Sequence, residues 1–175
     1  GGAQVPDRHF DEHMVVQLRD GRLWMLVRTF YGVGESVSDD GGRTWTPGRD
    51  SGIPGPNSRF FIRRLASGAL LLVNHDVPKN GERQREQLTA WLSDDDGESW
   101  QGGLLLDGRT GVSYPDGTQD ADGNLYIIYD HERYQRGDIL LARFREEDVL
   151  AGERVSGSGY LQRLVSHTGG VKPQP

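Results

Sequence analysis

Two eight-residue phrases, SDDGGRTW at 38–45 and SDDDGESW at 93–100, stand 55 residues apart, and both fit Ser-x-Asp-x-Gly-x-Ser/Thr-Trp. Internal repetition constrains a fold more than local propensity does, because each copy must serve in the same kind of structural unit. A second phrase recurs around the boxes: an apolar run, a turn containing glycine, and another apolar run. It reads VVQLRDGRLWMLVR at 15–28, FIRRLASGALLLVN at 61–74 and GTQDADGNLYIIYD at 117–130, with turn glycines Gly21, Gly68 and Gly123. Asp-Gly or Ser-Gly between apolar runs supplies the positive φ of a tight turn, so each phrase predicts a β-hairpin.

In the first two units the order is hairpin, loop, short strand, box, short strand. Four strands recurring at a period of about 50 residues predict the blades of a β-propeller. The expected fold is therefore all-β, with about three four-stranded blades in one partial propeller domain. The blades are expected at 9–58, 59–108 and 109–152. The third has no box; its REEDVLAG predicts one or two helical turns ended by Gly152. A C-terminal tail follows at 153–175, in which YLQRLV can form one more strand. Propellers close with about four to eight blades, so completing this one calls for missing N-terminal blades or a second copy of the chain.

In the boxes, Ser38 and Asp40 are placed to bond the backbone of their own turn, Gly42 supplies the permissive φ, and Trp45 begins the next strand. Ser93, Asp95, Gly97 and Trp100 repeat these roles. Three acids precede Gly97, which raises calcium. A calcium loop of the EF-hand type wants its acids at alternate positions and a glutamate at the twelfth, and this stretch fails on spacing. The boxes are read as structural turns, and no metal or cofactor is expected.

Composition bounds the partners. The net charge of −6 argues against nucleic acid, whose phosphates the excess carboxylates would repel. There is no cysteine, hence no disulfide framework. No run approaches the roughly 18 apolar residues of a membrane span. Glycine is 25 of 175 residues, about twice the usual share, which suits many tight turns. Of 20 cations only Lys79 and Lys172 are lysine. An arginine bias fits a carboxylate-bearing ligand, and genomic base composition produces it as well. The Gly-Gly-Ala start, with no initiator Met, suggests a processed or cut end.

The two boxes match the Asp-box, or bacterial neuraminidase repeat, and their place in four-stranded units resembles the sialidases, six-bladed propellers that remove terminal sialic acid. The resemblance implies a Tyr nucleophile, unusual among glycosidases, with a Glu that activates it, three arginines that clamp the substrate carboxylate, and an Asp acid/base. EHMVVQLRDGRLWMLVR carries Glu12 and Arg28 at the family's base and arginine positions. REQLTAWLSDDDGESW carries Arg85 at the next arginine. SYPDGTQDADGNLYIIYD carries Tyr114 at the nucleophile. The four stand in the family's order at spacings of 16, 57 and 29 residues. The likeness runs from about Glu12 to Gly152 and corresponds to the family's last three blades. The sequence departs from the pattern where Pro115-Asp116 follows Tyr114 and where Asp130 replaces a usual Glu. The remaining arginine and the acid/base Asp have no counterpart here.

The chemistry is coherent by itself. A phenol with a pKa near 10 attacks poorly at neutral pH unless a base takes its proton. A carboxylate nucleophile would be repelled by a substrate that carries a carboxylate on its anomeric carbon, and a neutral Tyr relayed by Glu avoids this. The implied parent is a retaining exo-glycosidase acting on a sialoside or related acidic glycan. It is bacterial and secreted or periplasmic by resemblance, and this stretch alone is expected to be inactive. A non-catalytic propeller that binds glycans or proteins, or a propeller glycosidase or lyase on another sugar, would use the same blades.

Plainer readings stand beside these. Tyr114 could be a turn aromatic, Glu12 a solvated strand start, and Arg28 and Arg85 surface ion-pair partners. His75 ends a strand where it could line a site, and Tyr129, His131, Glu132 and Arg133 form a polar cluster that could reach a channel rim. Arg59, Arg63 and Arg64 are not taken as substrate ligands. The Arg-Gly-Asp at 136–138 is a chance occurrence of a short motif.

Overall fold

The structure is a computed structural model that describes residues 3–78 and 85–168. It consists of three four-stranded antiparallel sheets, each a meander in chain order. The first holds β1 (Arg8–Gln17), β2 (Leu23–Thr29), β3 (Gly32–Ser38) and β4 (Arg49–Asp50). The second holds β5 (Phe61–Arg64), β6 (Leu70–His75), β7 (Leu88–Ser93) and β8 (Gln101–Asp107). The third holds β9 (Val112–Gln119), β10 (Leu125–His131), β11 (Asp138–Phe144) and, after the short helix α1 (Glu146–Ala151), β12 (Tyr160–His167). These are propeller blades. Their first strands lie side by side, with β1 touching β5 and β5 touching β9.

The three glycine hairpins are built identically. Leu18, Leu65 and Asp120 each accept a bond from the glycine N–H three residues on, and each donates to the carbonyl four residues on. Gly21, Gly68 and Gly123 have φ of 89°, 91° and 83°, the left-handed residue that closes a three-residue hairpin loop.

Burial shows how the blades stack. Leu26, Phe60, Leu70 and Leu72 fill a core between the first and second sheets, and Leu71, Val73, Ile127 and Leu140 fill one between the second and third. The middle sheet is thus covered on both faces, and all of β6, LLLVNH, is buried. β11 alternates buried and half-buried residues because one face only meets a neighbouring blade.

The third sheet departs from the expected boundaries. Its outer strand β12 comes from the stretch read as a tail, and pairs with β11 from Asp138↔His167 to Arg143↔Tyr160. The physical reason is the outer edge of β11, whose N–H and C=O groups would otherwise lack ladder partners. The chain gets there through α1, closed by left-handed Gly152 at φ 71°. Asp148 then holds the return, accepting bonds from the backbone of Arg145, Val155 and Ser156. The last residues of the tail, 169–175, lie outside the described residues. Among the described residues no helix is long and apolar enough to cross a membrane.

Candidate active site

The inner strands of the outer blades are irregular at one level, and these irregularities aim the site. In β1 the register jumps between Arg8↔Thr29 and His13↔Val27, so the residues around Glu12 bulge out opposite Arg28. In β9 it shifts between Ile128↔Asp116 and Asp130↔Ser113, leaving Tyr114 and Pro115 opposite Tyr129. A bulge turns a side chain out of the pleat. Tyr114 takes the left-handed backbone, φ 56°, rare for a residue with a large side chain.

Glu12, Arg28, Arg85 and Tyr114 meet, although they come from all three blades. The Tyr114 phenol donates to Glu12 Oε1 at 2.7 Å, and Arg28 Nη1 donates to Glu12 Oε2 at 2.7 Å. Arg28 is 2% exposed. Its Nε bonds the Asn57 side-chain oxygen at 2.6 Å and its Nη2 the Asn57 carbonyl at 2.8 Å. The Arg85 guanidinium lies 5.7 Å from the Tyr114 ring centroid, and its Nη1 reaches Ser113 Oγ at 3.4 Å. A cavity of about 560 Å³ lies here, and its wall includes Arg28, Asn57, Arg85, Tyr114, Arg133 and Tyr134.

The electrostatics keep Glu12 charged. Burial would raise the Glu12 carboxyl, but hydrogen bonds from Arg28 and Tyr114 and the charges of Arg28 and Arg59 hold it below its ordinary value. Glu12 is therefore ionised at neutral pH and accepts the Tyr114 hydrogen bond as a carboxylate. Arg85 is pushed down, first by burial and then by the like charges of Arg28 and Arg133. Among the described residues it has no carboxylate partner within ion-pair distance.

One contributor was not singled out from the sequence, and one was named there only within the polar cluster expected at the channel rim. Asn57, in the Pro- and Gly-rich run SGIPGPNSR, orients Arg28. Arg133 stacks on the Tyr114 ring with its guanidinium 3.8 Å from the centroid and pairs with Asp130. The expected rim cluster divides. Arg133 reaches the cavity, whereas Tyr129 is buried and donates to Asp107 at 3.1 Å, and His131 is buried 3.6 Å from Asp138. His75 is fully buried beneath the site and does not line this cavity. Its Nδ1 donates to the Glu86 carbonyl at 2.9 Å, next to Arg85, and burial lowers its pKa to about 4. Arg59 pairs with Asp116 at 3.0 Å and Arg64 with Asp96 at 2.5 Å, and Arg63 reaches Thr118.

The boxes close their own turns away from these groups. Asp40 Oδ1 accepts from the N–H of Arg43 and Thr44, and Ser38 Oγ accepts from Gly42 N–H and donates to Asp40. Asp95 and Ser93 repeat this with Ser99 and Gly97. Trp45 donates its indole N–H to the Gly42 carbonyl; Trp100 packs at the edge of the core between the first two sheets. A cleft of about 540 Å³ lies beside the first box, lined by Arg22, Glu35, Trp45 and Arg49 among others.

The BNR repeat-like domain family matches residues 7–127. No curated protein matches the chain. Among solved structures, the intramolecular trans-sialidase from Ruminococcus gnavus, in complex with oseltamivir carboxylate, superimposes with a TM-score of 0.62 at 21% identity, over 86% of this chain and 34% of that one. The alpha-L-arabinanase of Penicillium chrysogenum, complexed with arabinobiose, gives 0.60 at 15% identity, over 94% and 53%. The Hadza microbial sialidase Hz136 gives 0.56 at 17%, over 89% and 33%. These likenesses establish the fold. The chain spans between a third and about half of the length of these structures.

Proposed function

The chain belongs to the BNR repeat-like domain family, and from that premise we propose that it supplies the nucleophile half of the active site of a propeller exo-glycosidase acting on a terminal sialic acid or related acidic sugar, with retention. The observation that carries this reading is the Tyr114–Glu12 hydrogen bond of 2.7 Å beside a cavity walled by arginines. The naming of two similar structures as a trans-sialidase and a sialidase agrees with it.

In the proposed reaction Glu12 takes the phenolic proton as Tyr114 Oη bonds to the anomeric carbon. The glycosidic bond breaks, and the leaving oxygen keeps its electron pair and receives a proton from an acid that the resemblance puts outside this stretch. Water then displaces Tyr114, giving a proton to that acid's conjugate base, and Glu12 returns its proton to the phenolate. Arg28 fixes Glu12 in line. Arg85, with Arg28 behind it, provides the positive field for the substrate carboxylate and the developing oxocarbenium's partner charge.

A second reading, a glycosidase for arabinose-containing glycans, is favoured by one observation: the arabinanase aligns with 94% of this chain, against 86% for the trans-sialidase. The readings separate in one assay. The full natural protein is expected to hydrolyse a fluorogenic α-sialoside and to lose at least about a thousandfold in kcat on Tyr114→Phe. Turnover of an arabinofuranoside alone would replace the first reading with the second. Tight glycan binding with no turnover of either would make the protein a binder.

A further inference from the structure

The boxes and the strands beside them repeat at an interval of 55 residues, so residues that far apart in the first two blades occupy equivalent places. One equivalent pair differs in kind. In the second sheet Ala90 stands opposite Leu104, and both are buried in the core shared with the third sheet, where α1 covers β7 and β8 and adds Val149. In the first sheet the same pair is Glu35 opposite Arg49. Glu35 lies on β3 between Val33 and Val37, whose side chains share its face, and that face looks toward the second sheet. The second sheet turns back through the compact box at 93–100, whereas the third turns back through α1. The outer end of the first sheet's face is left open as the cleft of about 540 Å³ beside the first box. A blade added beside the first sheet would pack on the opposite face and leave this cleft as it is.

The cleft is polar where its counterpart is apolar, and its groups are only partly used. Glu35, buried, accepts from Trp24 Nε1 and from Arg49 Nε, both at 2.7 Å, so a core carboxylate fixes the exposed guanidinium by one edge. Among the described residues the Nη groups of Arg49 have no acceptor, the Arg22 guanidinium bonds only through Nε, to Asp20, and the Asp39 carboxylate accepts nothing. Trp45 spends its indole N–H on the Gly42 carbonyl and has its ring left to offer. Two arginines against Glu35 and Asp39 give the wall no net charge, which favours neither an anion nor a cation. An extended peptide would need a strand edge to pair with, and β4 is two residues long. A sugar suits the set: each hydroxyl both donates and accepts, and the apolar C–H face of its ring packs on an indole.

We propose that this cleft is a second glycan-binding site, for a neutral oligosaccharide, with Trp45 as the platform, Arg22, Asp39 and Arg49 as ligands of its hydroxyls, and Glu35 positioning Arg49. The site does not depend on the chemistry at Tyr114, with which it shares no residue.

The test is calorimetry on the full natural protein with three neutral probes: lacto-N-neotetraose, cellotetraose and arabinotetraose. At least one is expected to bind. Asp39→Asn and Arg49→Gln should each weaken that binding by about 3–10-fold, the worth of a hydrogen bond, and Trp45→Ala by at least about tenfold. Arg43→Gln, in the same box but not in the cleft wall, should leave it unchanged. Binding of none of the three probes, or binding indifferent to both Asp39→Asn and Arg49→Gln, overturns the proposal; these two exposed positions decide the matter if Trp45→Ala does not fold. Sialoside turnover without such binding removes this site alone. Cleft-dependent binding without turnover removes the hydrolase reading alone.

Discussion

Tyr114 is held with a φ of 56°, a conformation that costs a side-chain-bearing residue roughly 1–2 kcal/mol. The cost accompanies the bulge that takes the phenol out of the pleat and delivers it to Glu12. Two truncations separate the backbone from the side chain. Tyr114→Gly should be more stable than Tyr114→Ala by about 0.5–1 kcal/mol in chemical denaturation, because both lose the phenol and only alanine retains the strain. Glu12 permits a second prediction, about pH. Its carboxyl is held below its ordinary value of 4.5, so it contributes stability above that pH and loses it as pH falls through the depressed value. Glu12→Gln should melt below the wild type at pH 7, leaving buried Arg28 without its carboxylate, and the gap in Tm should close on acidification. Its kcat should fall by roughly 10²–10⁴ in the intact enzyme. Glu12, Arg28, Arg85 and Tyr114 were singled out in the sequence through their match to the motif positions of the resembled family. Arg133 was named only as one of a polar cluster and Asn57 not at all, because they lie in loops whose shape no periodicity records.

At the scale of elements, the two boxes have equivalent turns and unequal surroundings. In the second, Asp96 accepts from Arg19 N–H at 2.8 Å and from Arg64 Nη2 at 2.5 Å, and the Asp94 carbonyl accepts from Arg19, tying the first blade to the second. A Cβ on Gly97 would stand 2.6 Å from the Trp24 ring of the first blade, whereas one on Gly42 would meet nothing closer than 3.5 Å. Both glycines have left-handed φ, 93° and 88°. Gly97→Ala should therefore cost about 1–3 kcal/mol more than Gly42→Ala in matched unfolding curves, the usual range for overpacking. The turn function of a box can be read from its residues. Its role as a fastener cannot, since that depends on which blade lies alongside. The place of β12 escaped for a related reason: a short strand separated from its partner by a helix and a loop leaves no hairpin signal.

The molecule as a whole brings the parts of its site from separate sheets, Glu12 and Arg28 from the first, Arg85 from the second, Tyr114 and Arg133 from the third. No acid/base Asp of the resembled family was found in these residues, which leads to a direct expectation. The 175-residue chain assayed alone should turn over no fluorogenic sialoside, while the full natural protein does; measurable kcat from the isolated chain would mean that an acid within these blades completes the reaction. Blade number and strand order were legible from the repeat, because a four-stranded unit announces its period. The stacking that makes one cavity from three sheets depends on side chains such as Leu71 and Leu72, which face opposite neighbours from adjacent positions on one strand.

The hydrogen bond from Tyr114 to Glu12 spans 102 residues of sequence and crosses from the third sheet to the first. Its length is consequently a gauge of assembly. If either outer sheet tilts on the middle one, the two oxygens part while every ladder remains intact, so catalysis should fail during heating before circular dichroism registers any loss of strand.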